Sequence, residues 1–278
     1  MNPFSSLTIK SAAAALALAL AACGGASTES SSDSTTAVAP ATLITGTETP
    51  EIMNEHYADF LAKYISETDG INFVAYGDVT PEDHAMLNAY ITSLETRGPA
   101  GLSRDDEMAY WFNLYNAKTI AVILEAYPVS SIRKLGSFNS GPWDNKNMTV
   151  NGVGEMSLND VEHKTLRANW DEPRIHYAVN CASYGCPNLK ATPWIAETLE
   201  ADLTAAAIDY INHPRGFRVE NGRVTASKIF NWYKEDFGGN NDGILAHARL
   251  YAQGDLKTAL DAATGINNFE YNWNLNEN

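Results

Sequence analysis

The chain has 278 residues, 45% of them hydrophobic and 10% aromatic, enough apolar mass to bury a core and to exclude a wholly disordered polypeptide. Acidic residues outnumber basic ones 34 to 19, for a formal charge of −15, the wrong sign for a polyanion ligand, so nucleic acid is not an expected partner. Three cysteines are too few for a disulfide-dense scaffold or a zinc ribbon.

Residues 1–22 read as an export leader. Lys10 and the free amine supply a positive end, and an apolar run extends from Ser11 to Ala22. A helix of that length reaches about 18 Å, well short of the ~30 Å hydrocarbon core, so the run is not a membrane span. Leu20-Ala21-Ala22-Cys23 resembles a bacterial lipobox, with Cys23 as the site of lipid attachment. Acyl chains bury about 0.8 kcal/mol per CH₂, and several on one cysteine anchor a protein stably. Gly24 rather than aspartate follows Cys23, which resembles an outer-membrane destination. The expected location is therefore the cell envelope, lipid-anchored at the outer membrane and facing the periplasm or the cell surface. Residues 23–50 are rich in Ser, Thr, Ala and Gly without apolar periodicity, the composition of a flexible tether.

A single globular domain is expected over residues 51–278. Ile52, Met53, His56, Tyr57, Phe60, Leu61 and Tyr64 recur at helical spacing. Thr80-Pro81-Glu82-Asp83 is a helix start, with Met86, Leu87, Tyr90, Ile91 and Leu94 facing inward. Ser103, Asp105, Asp106 and Glu107 open a third helix that runs to about Ala126, before Pro128. It is apolar nearly all round, through Trp111, Phe112, Tyr115 and Ile120, which predicts a central, buried helix. Asn151-Gly152 marks a hairpin, and Ser157 caps a short helix over 158–168. Residues 174–181 alternate in the manner of a half-buried strand. A helix is expected from Thr192-Pro193 to about His213, a second hairpin about Asn221-Gly222, and a helix from Ser227 to Phe237 closed by Gly238-Gly239. Two short helices follow, and Phe269, Tyr271, Trp273 and Leu275 alternate as a docked terminal strand. The fold class is α+β, helix-rich, with short hairpins and a mixed or antiparallel sheet.

Three places carry chemistry. Glu162 falls on the apolar arc of the helix after Ser157, with His163 and Arg167 beside it at i,i+4 spacing. A carboxylate there is either a structural group neutralised by Arg174, Arg167 or a lysine, or a functional acid or base. Asn116 sits on the stripe between Phe112 and Ile120, either as a buried amide serving backbone groups or as a ligand contact. The densest segment runs from His176 through Asn180, Cys181 and Cys186 to Pro187. It admits a Cys181–Cys186 disulfide, a catalytic thiol with His176 or His163 as base, or a metal site. The H-x4-C-x4-C spacing matches no zinc pattern, so no metal is assigned, and no cofactor is implied. No phosphate-binding glycine loop, dinucleotide fingerprint or Gly-x-Ser-x-Gly elbow is present in the sequence. Trp111, Trp143, Trp194 and Trp232 suit either core packing or a sugar site.

Four blocks resemble the signatures of the domain of unknown function family 547: residues 110–117, 157–167, 174–187 and 227–237. The terminal stretch 271–276 resembles that family's usual ending. The resemblance spans about residues 110–276. It implies Asn116, Glu162, His163, Arg167, His176, Asn180, Cys181, Cys186, Lys228 and Trp232 as site positions, and no reaction. The loop 182–185 departs from relatives, which often carry glycine, serine and a second proline there. Catalytic candidates are therefore Glu162, His163, His176, Cys181 and Cys186. Binding candidates are Asn116, Arg167, Asn180, Lys228 and Trp232. The expected function is a polar pocket for a small-molecule or envelope-polymer ligand, rimmed by a disulfide. A hydrolase or transferase acting on an envelope peptide, lipid or glycan is the alternative. Replacing Cys23 by serine is expected to abolish acylation and release the protein from membranes; unchanged membrane retention and acyl content on fractionation would refute the anchor.

Overall fold

The computed structural model describes residues 50–136 and 141–278, with side-chain environments from residue 54 onward. The leader, Cys23 and the tether up to residue 49 lie outside the described residues. Helix α1 (Pro50–Tyr64) buries Tyr57, Phe60, Leu61 and Tyr64 along one stripe. The hairpin of β1 (Ile65–Thr68) and β2 (Ile71–Val74) follows, turning at Asp69-Gly70, both at positive φ. Helix α2 (Pro81–Arg97) starts where Thr80 accepts the amide proton of Asp83 at 3.2 Å. Leu87, Tyr90, Ile91 and Leu94 form its buried stripe, and Met86 falls at the edge and stays exposed.

Helix α3 (Arg104–Ala126) is the axis of the molecule. Ser103 caps it through the Asp106 amide, three acids sit on the positive end of its dipole, and side chains all around it are buried. A short hairpin, β3 (Met148–Val150) with β4 (Gly154–Met156), leads into the helix carrying Glu162. Residues 160–166 of that helix are wound as a π-helix, followed by one α-turn, α4 (Arg167–Asn169).

The strand expected over 174–181 is instead a single helical turn, α5 (Ile175–Ala178), followed by extended backbone at Val179. Glu172 nucleates the turn by accepting the Arg174 amide at 2.9 Å, and the Tyr177 amide bonds to the Arg174 carbonyl. Ile175, His176, Tyr177 and Ala178 are all buried, so the segment has no polar face from which a period of 3.6 can be read. The next helix also starts later than Thr192-Pro193. Asn113 of α3 exchanges two hydrogen bonds with the backbone of Trp194, and Lys190 donates to Thr192 and to the Pro193 carbonyl. These bonds hold 192–195 as a loop, and α6 (Leu199–Asn212) begins beyond it.

Strands β5 (Phe217–Glu220) and β6 (Arg223–Ser227) are antiparallel about Asn221-Gly222, at φ 50° and 70°, the pair of positive values that a two-residue hairpin of this twist requires. Strand β7 (Asn268–Glu270) pairs parallel to β6, giving a mixed three-stranded sheet. Ser227 caps α7 (Lys228–Trp232), which breaks at Tyr233 before a 3-10 turn, Lys234–Phe237, closed by left-handed Gly238. Helices α8 (Asn241–Tyr251) and α9 (Gly254–Ala262) complete the chain's helical part. The helix-rich α+β class with hairpins and a mixed sheet is thus as the sequence indicates.

The terminal alternation marks a docked segment, but of the strand expected there only Asn268–Glu270 forms one, and beyond it Leu275 makes an isolated bridge with Ser183. The Tyr184 amide bonds to the Asn274 carbonyl and the Gly185 amide to the Asn272 carbonyl. The approach is close: a Cβ at Gly185 would lie 2.9 Å from backbone atoms of Asn272. Among the described residues, no helix is long and apolar enough to cross a membrane.

The buried side chains form two clusters. One surrounds α3, and the other lies between α6, the three-stranded sheet and α8. In the second, the Tyr177 hydroxyl meets His247 Nε2 at 2.8 Å, with Phe237 edge-on to the imidazole. Burial pushes His247 down to about 4 from its usual 6.5. The unfolded chain therefore binds more protons than the native one between those values, and stability falls as pH drops through the window. The contribution is up to roughly 3 kcal/mol. A His247→Gln variant, whose amide can still accept from Tyr177, is expected to show a shallower loss of thermal midpoint from pH 7 to 4.5 than the parent; equal slopes would remove His247 from the account.

Candidate functional site

A cavity of about 190 Å³ opens where α3, the π-helix, α5, α7 and the terminal segment meet. Its floor is Glu162, His176 and Tyr115. Val179 and the Cys181–Cys186 loop form one wall, Ile229, Trp232 and Tyr233 another, and Tyr271 and Trp273 a third. Trp143 and Asn159 complete the rim.

The helix that delivers Glu162 is pinned at its start. Asp160 accepts from the Ser157 amide and hydroxyl at 2.8 and 2.9 Å and pairs with Lys146 and Lys164. These donors outweigh the opposing effect of burial and hold its carboxyl below the usual range. The i→i+5 winding then carries the Arg167 amide to the Glu162 carbonyl. The widened turn keeps Val161, Glu162 and Leu166 all inside, a local distortion of the kind found at functional sites.

Glu162 is 5% exposed. It accepts from the Tyr115 hydroxyl at 3.2 Å and is hydrogen-bonded to Tyr233. Burial first, then the negative Glu162, pushes both phenols up, so they stay protonated and act as donors. The cations considered as structural partners for Glu162 are committed elsewhere. Arg174 pairs with Glu172 and Glu200, and Arg167 grips Asp236 through Nε at 2.5 Å and Nη2 at 2.9 Å. Among the described residues, no lysine or arginine nitrogen lies within 4 Å of Glu162; the basic side-chain nitrogen within that distance is His176 Nδ1, at 3.9 Å.

His176 Nε2 sits 2.6 Å from Asp236 Oδ2. Burial tends to raise Asp236, but the hydrogen bonds from His176 and Arg167 win and hold it well below the usual carboxylate range. An ionised Asp236 can only accept, so Nε2 carries a proton. In the neutral ring, Nδ1 is then a lone pair on the Glu162 side. Tyr233 stacks on the imidazole at 4.1 Å between centroids and fixes its plane. The Arg167–Asp236–His176 chain therefore orients a group able to take up or give a proton at Nδ1, with Glu162 beside it.

The sulfurs of Cys181 and Cys186 lie at bonding distance, with Cα atoms 6.3 Å apart, so the disulfide is the one of the three sequence readings that holds. The Tyr271 hydroxyl contacts both sulfurs and Ser183. In the loop between them Ala182 adopts φ 55°, where glycine would be at ease, at a cost of about 1 kcal/mol. Asn180 enforces it by accepting the Ala182 amide at 2.8 Å while donating to the Pro187 carbonyl at 2.7 Å.

Of the residues singled out in the sequence, Trp143, Glu162, His176, Cys181, Cys186 and Trp232 line the cavity. Asn116 and Asn180 do not. Asn116 donates to the Ala178 carbonyl and accepts the Asn180 amide, locking α5 and its exit to α3. His163 lies off the cavity with Nδ1 3.1 Å from Arg167, Arg167 stands behind Asp236, and Lys228 is exposed. Sequence reasoning missed Asp236, Tyr115, Tyr233, Tyr271 and Trp273. Tyr271 and Trp273 were legible only as inward positions of the terminal alternation. Asp236 carries no local signal, since its partner lies sixty residues earlier. Among the described residues, no group of three or more His, Cys, Asp or Glu side chains is placed to hold a metal ion.

The fold and site define a helix-rich α+β protein with an aromatic-walled cavity over a carboxylate–imidazole floor. Residues 99–211 match the family described as "Protein of unknown function, DUF547", which bears out the resemblance over that segment. The match takes in Tyr115, Glu162, His176 and both cysteines of the cavity, and ends before Trp232, Asp236 and Tyr271. Neither the curated proteins nor the solved structures contain a match to the chain.

Asp236→Asn removes the negative charge, and one of the two acceptor oxygens, that Arg167 and His176 share. It is expected to cost about 1–3 kcal/mol at neutral pH. Because the folded carboxyl is held low, that stability is fully present above the ordinary aspartate range and is lost progressively from there down through the lowered folded value. The gap in thermal midpoint between parent and variant should thus narrow steadily as pH is lowered below 4 without closing by pH 3, and a gap that does not narrow at all would contradict the ion-pair account.

Proposed function

We propose that the protein is a lipid-anchored component of the cell envelope whose cavity binds one small head group of an envelope molecule. The observation that carries this reading is the enclosure itself. Aromatic side chains from α3, the 142–144 turn, α7 and the terminal segment converge on a single space beside a buried carboxylate. Small-ligand sites are concave, mostly apolar and furnished with a few placed polar groups. The volume is small: about 150 Å³ suffices for a benzene ring. A single ring or head group fits, and a folded polymer does not. The disulfide supports an exported, oxidising location and stiffens the wall, and the lipobox-like leader supports the anchor.

A second reading, acid–base catalysis by a hydrolase or transferase, is favoured by one specific observation. His176 is held on Nε2 by Asp236 and presents Nδ1 toward Glu162 in the cavity floor. That is the base-and-orienter arrangement of proton-transfer sites.

Tryptophan fluorescence of the purified protein, titrated with small envelope-derived fragments, is the test. Saturable quenching by at least one fragment class is expected. Trp232→Ala should weaken it while moving the thermal midpoint by no more than about 2 °C, because Trp232 is 45% exposed. Quenching insensitive to Trp232, or none at all, would sink the binding reading. Fragment turnover that His176→Gln abolishes at unchanged affinity would establish the catalytic one.

A further inference from the structure

We propose that the head group taken by this cavity is an organic cation of the quaternary or tertiary ammonium class. The proposal rests on the cavity being the ligand site and names the chemistry of what enters it.

Tyr115, Trp143, Trp232, Tyr271 and Trp273 bring rings to the space, whereas the Tyr233 ring is already stacked on His176 and carries the Arg167 guanidinium. Trp232, Tyr271 and Trp273 form a continuous cluster with centroids 4.6–5.4 Å apart, and Trp143 lies 5.7 Å from Trp273. An aromatic face is the negative end of the ring quadrupole, and several faces around one space attract a desolvated cation. Trp273 already holds one, the Arg133 guanidinium, at 5.2 Å from the ring centroid.

Beneath the rings lies Glu162, a buried carboxylate with hydroxyl donors and, among the described residues, no lysine or arginine within 4 Å. Arg174 is held by Glu172 and Glu200, and Arg167, which acts on Glu162 only from a distance, gives its hydrogen bonds to Asp236. A buried anion without a full countercharge is costly, and a ligand cation removes that cost. The excess of acids over bases in the whole chain favours the approach of cations and opposes that of anions.

The polar groups also argue against a sugar. Tyr115 and Tyr233 are engaged with Glu162, Tyr271 with Ser183 and the sulfurs, and His176 Nε2 with Asp236. A monosaccharide needs many directed partners for its hydroxyls, and few remain uncommitted here. A quaternary ammonium needs none: it asks for ring faces, a nearby negative charge and a dry space.

Isothermal titration calorimetry on the mature protein compares choline, its neutral isostere 3,3-dimethylbutan-1-ol and N-acetylglucosamine. Choline is expected to bind roughly tenfold or more tightly than the isostere. Glu162→Gln should erase most of that ratio while leaving the isostere's affinity alone. If that variant fails to fold, Trp232→Ala, which should weaken choline binding, and the ratio on the parent protein carry the test. Monomeric dihexanoylphosphatidylcholine, run beside free choline, tells a lipid headgroup from a free amine, and binding of either supports the assignment. An isostere that binds as tightly as choline, or N-acetylglucosamine binding without choline, overturns the cation and leaves the cavity as a ligand site. Silence from all four probes overturns the cation here, and the broader fragment titration then decides the cavity reading separately.

Discussion

Two neighbouring stretches of chain and a third about sixty residues on meet at one carboxylate. Asp236 receives the guanidinium of Arg167 and the imidazole of His176, and in doing so joins the π-helix, α5 and the turn after α7. Each of the three is too short to hold its own shape. A single helical turn such as α5 has no cooperative reserve, and a π-helix is a poor hydrogen-bonding solution on its own. They persist because tertiary bonds fix them, and the cavity's floor is the by-product of that fixing.

The same logic explains the polar groups in the interior. Asn116, Asn113 and Asn180 use their amides on backbone groups of irregular segments that no ladder satisfies. Irregular backbone inside a protein must find partners, and asparagine supplies a donor and an acceptor on one short stem. Function and architecture thus divide the buried polar residues between them. The asparagines shape the loop, and Glu162 and His176 face the space it encloses.

The elements that could be read from sequence were those whose signals are local. Thr80, Ser103 and Ser227 cap the helices they announce, Asn221-Gly222 turns its hairpin, and the apolar circumference of α3 foretells its burial. The failures share a cause. Residues 175–180 are buried on every side, so alternation over a few positions imitated a strand, and the local signal for the turn was the Glu172 carboxylate accepting the Arg174 amide. Thr192-Pro193 has the composition of a helix start, but Asn113, some eighty residues earlier, holds that stretch as a loop. The site was half legible for the same reason. Glu162 betrays itself as a charge on an apolar arc. Asp236, in a run of polar residues before Gly238, looks like any surface acid until His176 is beside it.

The terminal segment has a bearing on how the molecule assembles. Tyr271 and Trp273 form an entire wall, and the backbone around them bonds to Tyr184, Gly185 and, through Asn276, to Val74. The Tyr76 hydroxyl reaches Asn276 across a sequence separation of 200 residues. Contacts of that span demand that very long loops be closed before they contribute anything. The floor closes spans of 47 residues, Tyr115 to Glu162, and 60 residues, His176 to Asp236, whereas the outer wall waits for the segment beyond residue 268. An intact cavity is therefore a certificate of completed folding, and a nascent chain halted before residue 268 carries the floor with no chamber above it.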